Sequence, residues 1–83
     1  MNLRTDFPES ILFKRRVEVF KTNVAAPQQA DALAQLLSRQ FGLYRVNFDL
    51  DDCDNVLRVE GSQINPDRIM SVLHAVGYEC DLL

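Results

Sequence analysis

The sequence predicts an α+β domain: one four-stranded antiparallel sheet with two helices packed on one of its faces. Three features of the chain say so. Two amphipathic helix patterns occur, each opened near a proline (Pro27, Pro66) and closed by a glycine (Gly42, Gly77). Short segments of strand character surround and separate them. The order along the chain is strand, helix, strand, strand, helix, strand. A split βαβ arrangement, βαββαβ, is the economical way for that order to bury every apolar side.

Residues 1–15 have mixed character, with Pro8 interrupting them, and are expected to form an N-terminal arm or tail ahead of a domain at 16–83. "RVEVFKT", residues 16–22, is rich in Val, Phe and Thr and predicts the first strand. Pro27 fits the first turn of a helix. Ala30, Leu33, Ala34, Leu37 and Phe41 then follow at spacings of three and four, one apolar stripe. Gly42 suits the left-handed residue that ends such a helix. In "LYRVNFDL", Tyr44, Val46, Phe48 and Leu50 alternate with Arg45, Asn47 and Asp49, the period of a half-buried strand. "DDCDN", residues 51–55, is turn chemistry, because Asp and Asn side chains hydrogen-bond their own backbone. "VLRVEG" completes a hairpin. Asn65 is a natural N-cap before Pro66, and Ile64 and Ile69 flank it as a hydrophobic staple. Ile69, Val72, Leu73 and Val76 form the second stripe. "YECDL" is the last strand, with Tyr78, Cys80 and Leu82 on one side. The whole is a ferredoxin-like fold.

Size and charge narrow the function. The chain has 83 residues, enough for one domain with a modest core. Its net charge is -3, from 9 basic and 12 acidic residues. Nucleic acid is therefore not an expected partner, since neutralising phosphates needs a basic face. No run reaches the roughly 18 apolar residues of a membrane span, and the charged N-terminus does not match a signal peptide. A cytoplasmic protein with no membrane partner is expected. Its two cysteines, Cys53 and Cys80, have no C-x-x-C spacing and are expected as free thiols.

Gly42-Leu43, "VNFDL" and Gly77-Tyr78 bring a family into view. Residues 16–83 resemble the heavy-metal-associated domain family, the small copper-chaperone-like modules. In that family a Met-x-Cys-x-x-Cys loop joins the first strand to the first helix, and the resemblance implies copper binding there. The segment Val24-Ala25-Ala26-Pro27-Gln28-Gln29 departs from it. Val24 stands at the methionine position, and Ala26 and Gln29 stand at the two cysteines. A thiophilic ion such as Cu(I) needs soft donors. Alanine offers none, and a glutamine carbonyl is hard and neutral. The loop is read as degenerate, with no cofactor and no metal ion expected.

Other elements of the fold offer replacement ligands. In this topology the loop after the first strand, the turn at 51–55 and the junction after the second helix share one end of the sheet. Cys53 and His74 are the candidates, giving an alternative function as a copper or zinc carrier or sensor with non-standard ligands. The bland expectation for each is an exposed turn cysteine and a helix-end histidine suited to the dipole. "DLDDCDNVLRVE" places Asp49, Asp51 and Glu60 at positions 1, 3 and 12 of a calcium loop, but lacks the glycine and the flanking helices. No nucleophile-and-base set, phosphate loop or carboxylate pair suggests an enzyme.

Apolar residues on the wrong side of the sheet point to contact. In the strand register that the resemblance implies, Phe20, Thr22 and Val24 face the helices, and Val17 and Val19 face the open side. Leu57 and Val59 facing inward send Val56 outward beside them. Arg45, Arg58 and Glu18 are expected to flank this patch. A contiguous apolar surface of this kind marks contacts. It could be covered by the arm, whose Phe7, Ile11, Leu12 and Phe13 have no other role, by a second copy, or by another protein. The expected function is a non-enzymatic domain that acts by protein–protein contact or self-association.

Overall fold

A computed structural model of the protein describes residues 15–83; Lys14 and the arm residues Phe7, Ile11, Leu12 and Phe13 lie outside them. The elements run β1 (Arg16–Thr22), α1 (Pro27–Phe41), β2 (Arg45–Asp49), β3 (Val56–Gly61), α2 (Pro66–Ala75) and β4 (Cys80–Leu82). The four strands form one sheet in the order β2-β3-β1-β4, and every neighbouring pair is antiparallel. This is the βαββαβ ferredoxin-like arrangement.

Each helix ends where its sequence says it should. In α1, Pro27 sits in the first turn, and Ala26 caps through its backbone alone, its carbonyl accepting from Ala30 N–H at 3.0 Å. At the other end Gly42 takes φ 60°, a left-handed value that favours glycine. Leu43 N–H can then reach back to the Ser38 carbonyl at 3.1 Å. In α2, Asn65 Oδ1 accepts from Asp67 N–H at 3.1 Å. Val76 caps α2, and Gly77, at φ 96°, turns the chain so that Tyr78 N–H meets the Leu73 carbonyl at 2.9 Å.

The core lies between the sheet and the helices. Phe20 of β1, Leu57 and Val59 of β3 and Cys80 of β4 meet Leu33 and Leu37 of α1 and Ile69 and Leu73 of α2, all buried. The register explains why. Phe20 opposes Leu57, and opposed residues share a face. The same rule corrects one expectation. Glu18 opposes Val59, so it lies on the helix side and does not flank Val17 and Val19. Three apolar residues are also more exposed than their period suggested: Tyr44, Val76 and Leu82. Tyr44 precedes β2 and Val76 follows α2, where the pattern outruns the packed element. Leu82 sits on the outermost strand, at the rim of the core.

Candidate functional site

The end of the sheet where β1 hands over to α1 collects the residues singled out by sequence. Thr22 ties three pieces together there. Its N–H donates to the Asp54 carbonyl at 3.0 Å, and its Oγ1 donates to the Asn55 carbonyl at 2.7 Å. The same oxygen accepts from Val24 N–H at 3.2 Å. Asn23 reaches the other way. Its Oδ1 accepts from Glu79 N–H at 2.8 Å, and its Nδ2 donates to a Glu79 carboxylate oxygen at 3.3 Å. The loop after β1, the hairpin turn and the junction after α2 therefore do meet at one end, through a polar clamp of Thr22, Asn23 and Glu79.

The clamp fixes what the loop presents. Val24 is wholly buried (0% exposed) and belongs to the core. Ala25 is exposed and Ala26 half-buried, and neither side chain carries a donor atom. Gln28 and Gln29 point to solvent from the first turn of α1. The loop thus carries no thiolate, the donor that a soft ion prefers. The residues present do not fit the copper cargo that the family resemblance implies.

The candidate replacement ligands stay apart in role. Cys53 is exposed in the hairpin turn. Its Sγ and carboxylate oxygens of Asp52 and Asp54 lie within 4.8 Å of one another, all exposed. His74 is not part of that group; its Nε2 lies 3.1 Å from the Cys80 carbonyl. Cys80 is buried, and burial, with a smaller contribution from the charge of Asp81, pushes its thiol up to about 11. It is a core residue in the thiol form, not a ligand. The calcium-loop spacing is not used either. Asp49 opposes Val56 across the hairpin and Glu60 opposes Arg45, so strand pairing separates them.

The open side of the sheet carries the apolar residues expected there. Val17 opposes Glu60 and Val19 opposes Arg58, which places both valines away from the helices. Val17 is 41% exposed, while Val19 and Val56 are half-buried. Arg58 and Glu60 form an ion pair at 3.6 Å on this side. Sequence reasoning missed Leu83. Its N–H donates to the Val19 carbonyl at 3.0 Å, and its side chain, 64% exposed, extends the patch onto β4's side of β1. It also missed the clamp, although a Thr-Asn pair at a strand end is a recognisable signal for side-chain-to-backbone bonding.

No family model matches the sequence, and no curated protein matches it significantly. Among solved structures the chain is similar to a CsoZ metallochaperone, with TM-score 0.69 and 19% identity over 81% of this chain and 97% of that one. At that identity the likeness shows the fold alone. Among the described residues no helix is long and apolar enough to cross a membrane.

Proposed function

We propose that this is a non-enzymatic, cytoplasmic domain of metallochaperone-like fold that has lost its metal-binding loop and acts by protein–protein contact. The observation that supports it best is the loop end itself. Where the family resemblance places a methionine and two cysteine donors, the buried Val24, the half-buried Ala26 and the exposed Gln29 stand, and a hydrogen-bonded clamp closes the loop. The contact surface is the open side of the sheet, around Val17, Val19 and Val56, an apolar patch in a place usually left to water.

Native mass spectrometry of the reduced protein, titrated with Cu(I) and Zn(II) against a competing chelator, tests this. The expected result is no tightly bound ion. One ion per chain would overturn the loss of metal binding. The contact role is tested by Val19→Asp, which should weaken association while leaving a folded chain. Association unchanged by it would remove the open side from the proposal.

A metal carrier using Cys53 and His74 has less support. The donors beside Cys53 are two exposed carboxylates, and His74 turns to a backbone carbonyl. That reading requires Cys53→Ser to abolish uptake stoichiometrically.

A further inference from the structure

The two edges of the sheet are unlike. β4 is three residues long, and short edge strands resist pairing. β2 has five residues, RVNFD, in unbroken register with β3, and carries neither proline nor lysine nor an inward charge. Among the described residues nothing pairs with its outer side. A groove of about 240 Å³ runs beside that edge, between Pro27, Ala30 and Ala34 of α1 and the half-buried Val46, Phe48 and Leu50.

The hydrogen bonds say which groups the edge offers. Leu83 N–H donates to the Val19 carbonyl, so Val19 turns its backbone polar groups toward β4 and Phe20 turns its own toward β3. Carried across β3 by the register, the same alternation turns Arg45, Asn47 and Asp49 toward β3. Val46 and Phe48 are left with their N–H and C=O groups at the free edge. The Glu60 carbonyl, which accepts from Tyr44 N–H, faces β2 as this alternation requires.

The strand is also complementary to itself. We propose that β2 pairs with β2 of a second copy, antiparallel about a twofold axis at Asn47, joining two sheets into one. In that register Val46 opposes Phe48 of the second copy, and each such pair exchanges both of its backbone hydrogen bonds. Arg45 opposes Asp49 of the second copy, and by symmetry this happens twice. Moving the axis by one residue to Phe48 sets Asp49 against Asn47 and loses both ion pairs within the strand. The second copy also covers the groove beside Val46 and Phe48. This contact is separate from the open-side patch, since Val19 lies on β1, two strands from β2.

Sedimentation velocity of the full chain from micromolar to millimolar concentration, with amide hydrogen exchange at both extremes, tests it. A reversible dimer is expected, with the Val46 and Phe48 amides exchanging at least about tenfold more slowly in it. Arg45→Asp and Asp49→Arg, each alone, set like charges opposite one another and should weaken the dimer roughly tenfold or more. Mixed one-to-one, the two variants should pair again, because each supplies the charges the other lacks. Asp49 Oδ1 also accepts from Asp51 N–H at 3.1 Å. Asp49→Asn keeps that acceptor and should still weaken the dimer, with circular dichroism confirming the fold of every variant. A monomer at all concentrations overturns the proposal. So does a dimer that ignores these charges and leaves Val46 and Phe48 unprotected; if Val19→Asp dissolves that dimer, the open side is the interface.

Discussion

The loop at residues 23–26 and the turn at residues 51–55 meet at one end of the sheet and are built on opposite plans. The first is anchored to distant parts of the chain. Asn23 bonds Glu79, and Val24 enters the core. The second is anchored mostly to itself. Asp54 N–H bonds Asp52 Oδ1 at 2.9 Å, Asn55 N–H bonds the Asp52 carbonyl at 2.9 Å, and Asn55 takes φ 45° to close the turn. The cluster of metal-ligand-type side chains, Asp52, Cys53 and Asp54, is in the exposed turn. The one buried side chain of the two segments, Val24, is in the loop and carries no donor atom. A metal site needs donors and enclosure in one place, because an exposed carboxylate stays hydrated and a buried valine has nothing to give. Here the fold has kept the two properties apart.

The sharpest way to break that contrast is to put a donor into the enclosed loop. Val24→Asp forces a carboxylate into the core without a partner, and should lower stability by about 3 kcal/mol or more. Urea unfolding monitored by circular dichroism measures this. A loss below about 1 kcal/mol would mean the loop opens freely and is not part of the core.

Next in size is the pH response of Cys80, the enclosed thiol. Its pKa is raised to about 11 in the folded chain, so the folded state favours the protonated form. The unfolded chain ionises first. The contribution is therefore fully present below pH 9, and is lost as pH rises toward 11. The loss amounts to about 2–3 kcal/mol, at about 1.4 kcal/mol per pH unit. Melting curves at pH 8 and pH 10.5 for wild type and Cys80→Ala should diverge in that direction, the wild type falling more steeply. Parallel curves would place the thiol in water.

Much of this was legible before the structure. Pro27, Gly42, Asn65 and Gly77 punctuate the chain so clearly that both helices end within a residue or two of their expected limits. The alternation of Val46 and Phe48 with Asn47 gave β2, and the inward period of Leu57 and Val59 gave β3. The site was legible only by subtraction, as donors missing from "VAAPQQ". The clamp was not foreseen because Asn23 and Glu79 are far apart in sequence and meet only when β4 pairs with β1. Glu18 lies between Val17 and Val19 in sequence yet falls on the helix side, because strand parity decides the face. The open edge of β2 could not be read from local pattern at all, since only the strand order makes it an edge.

Loosening the clamp separates its two arms. Thr22→Val keeps the shape of the side chain, removes the oxygen that serves Asn55 and Val24, and should cost about 1–2 kcal/mol. Asn23→Ala breaks only exposed bonds to Glu79 and should cost about 0.5–1 kcal/mol. Denaturant midpoints give both values. If Asn23→Ala proved the more damaging, the junction after α2, not the hairpin, would be what holds the loop.

The smallest effect is expected at Cys53. Its side chain is exposed in a turn held by backbone and aspartate bonds, so Cys53→Ser should leave stability within about 0.5 kcal/mol of wild type. Its reactivity should be the reverse of Cys80's. An alkylating probe at pH 8, followed by intact mass, should modify Cys53 rapidly and leave Cys80 untouched until the chain unfolds, because the nucleophile is the thiolate and Cys80 is both buried and protonated. Equal labelling of the two would show that the end of the sheet near β4 opens under native conditions. The division between an enclosed loop and an exposed turn would then describe only the average structure.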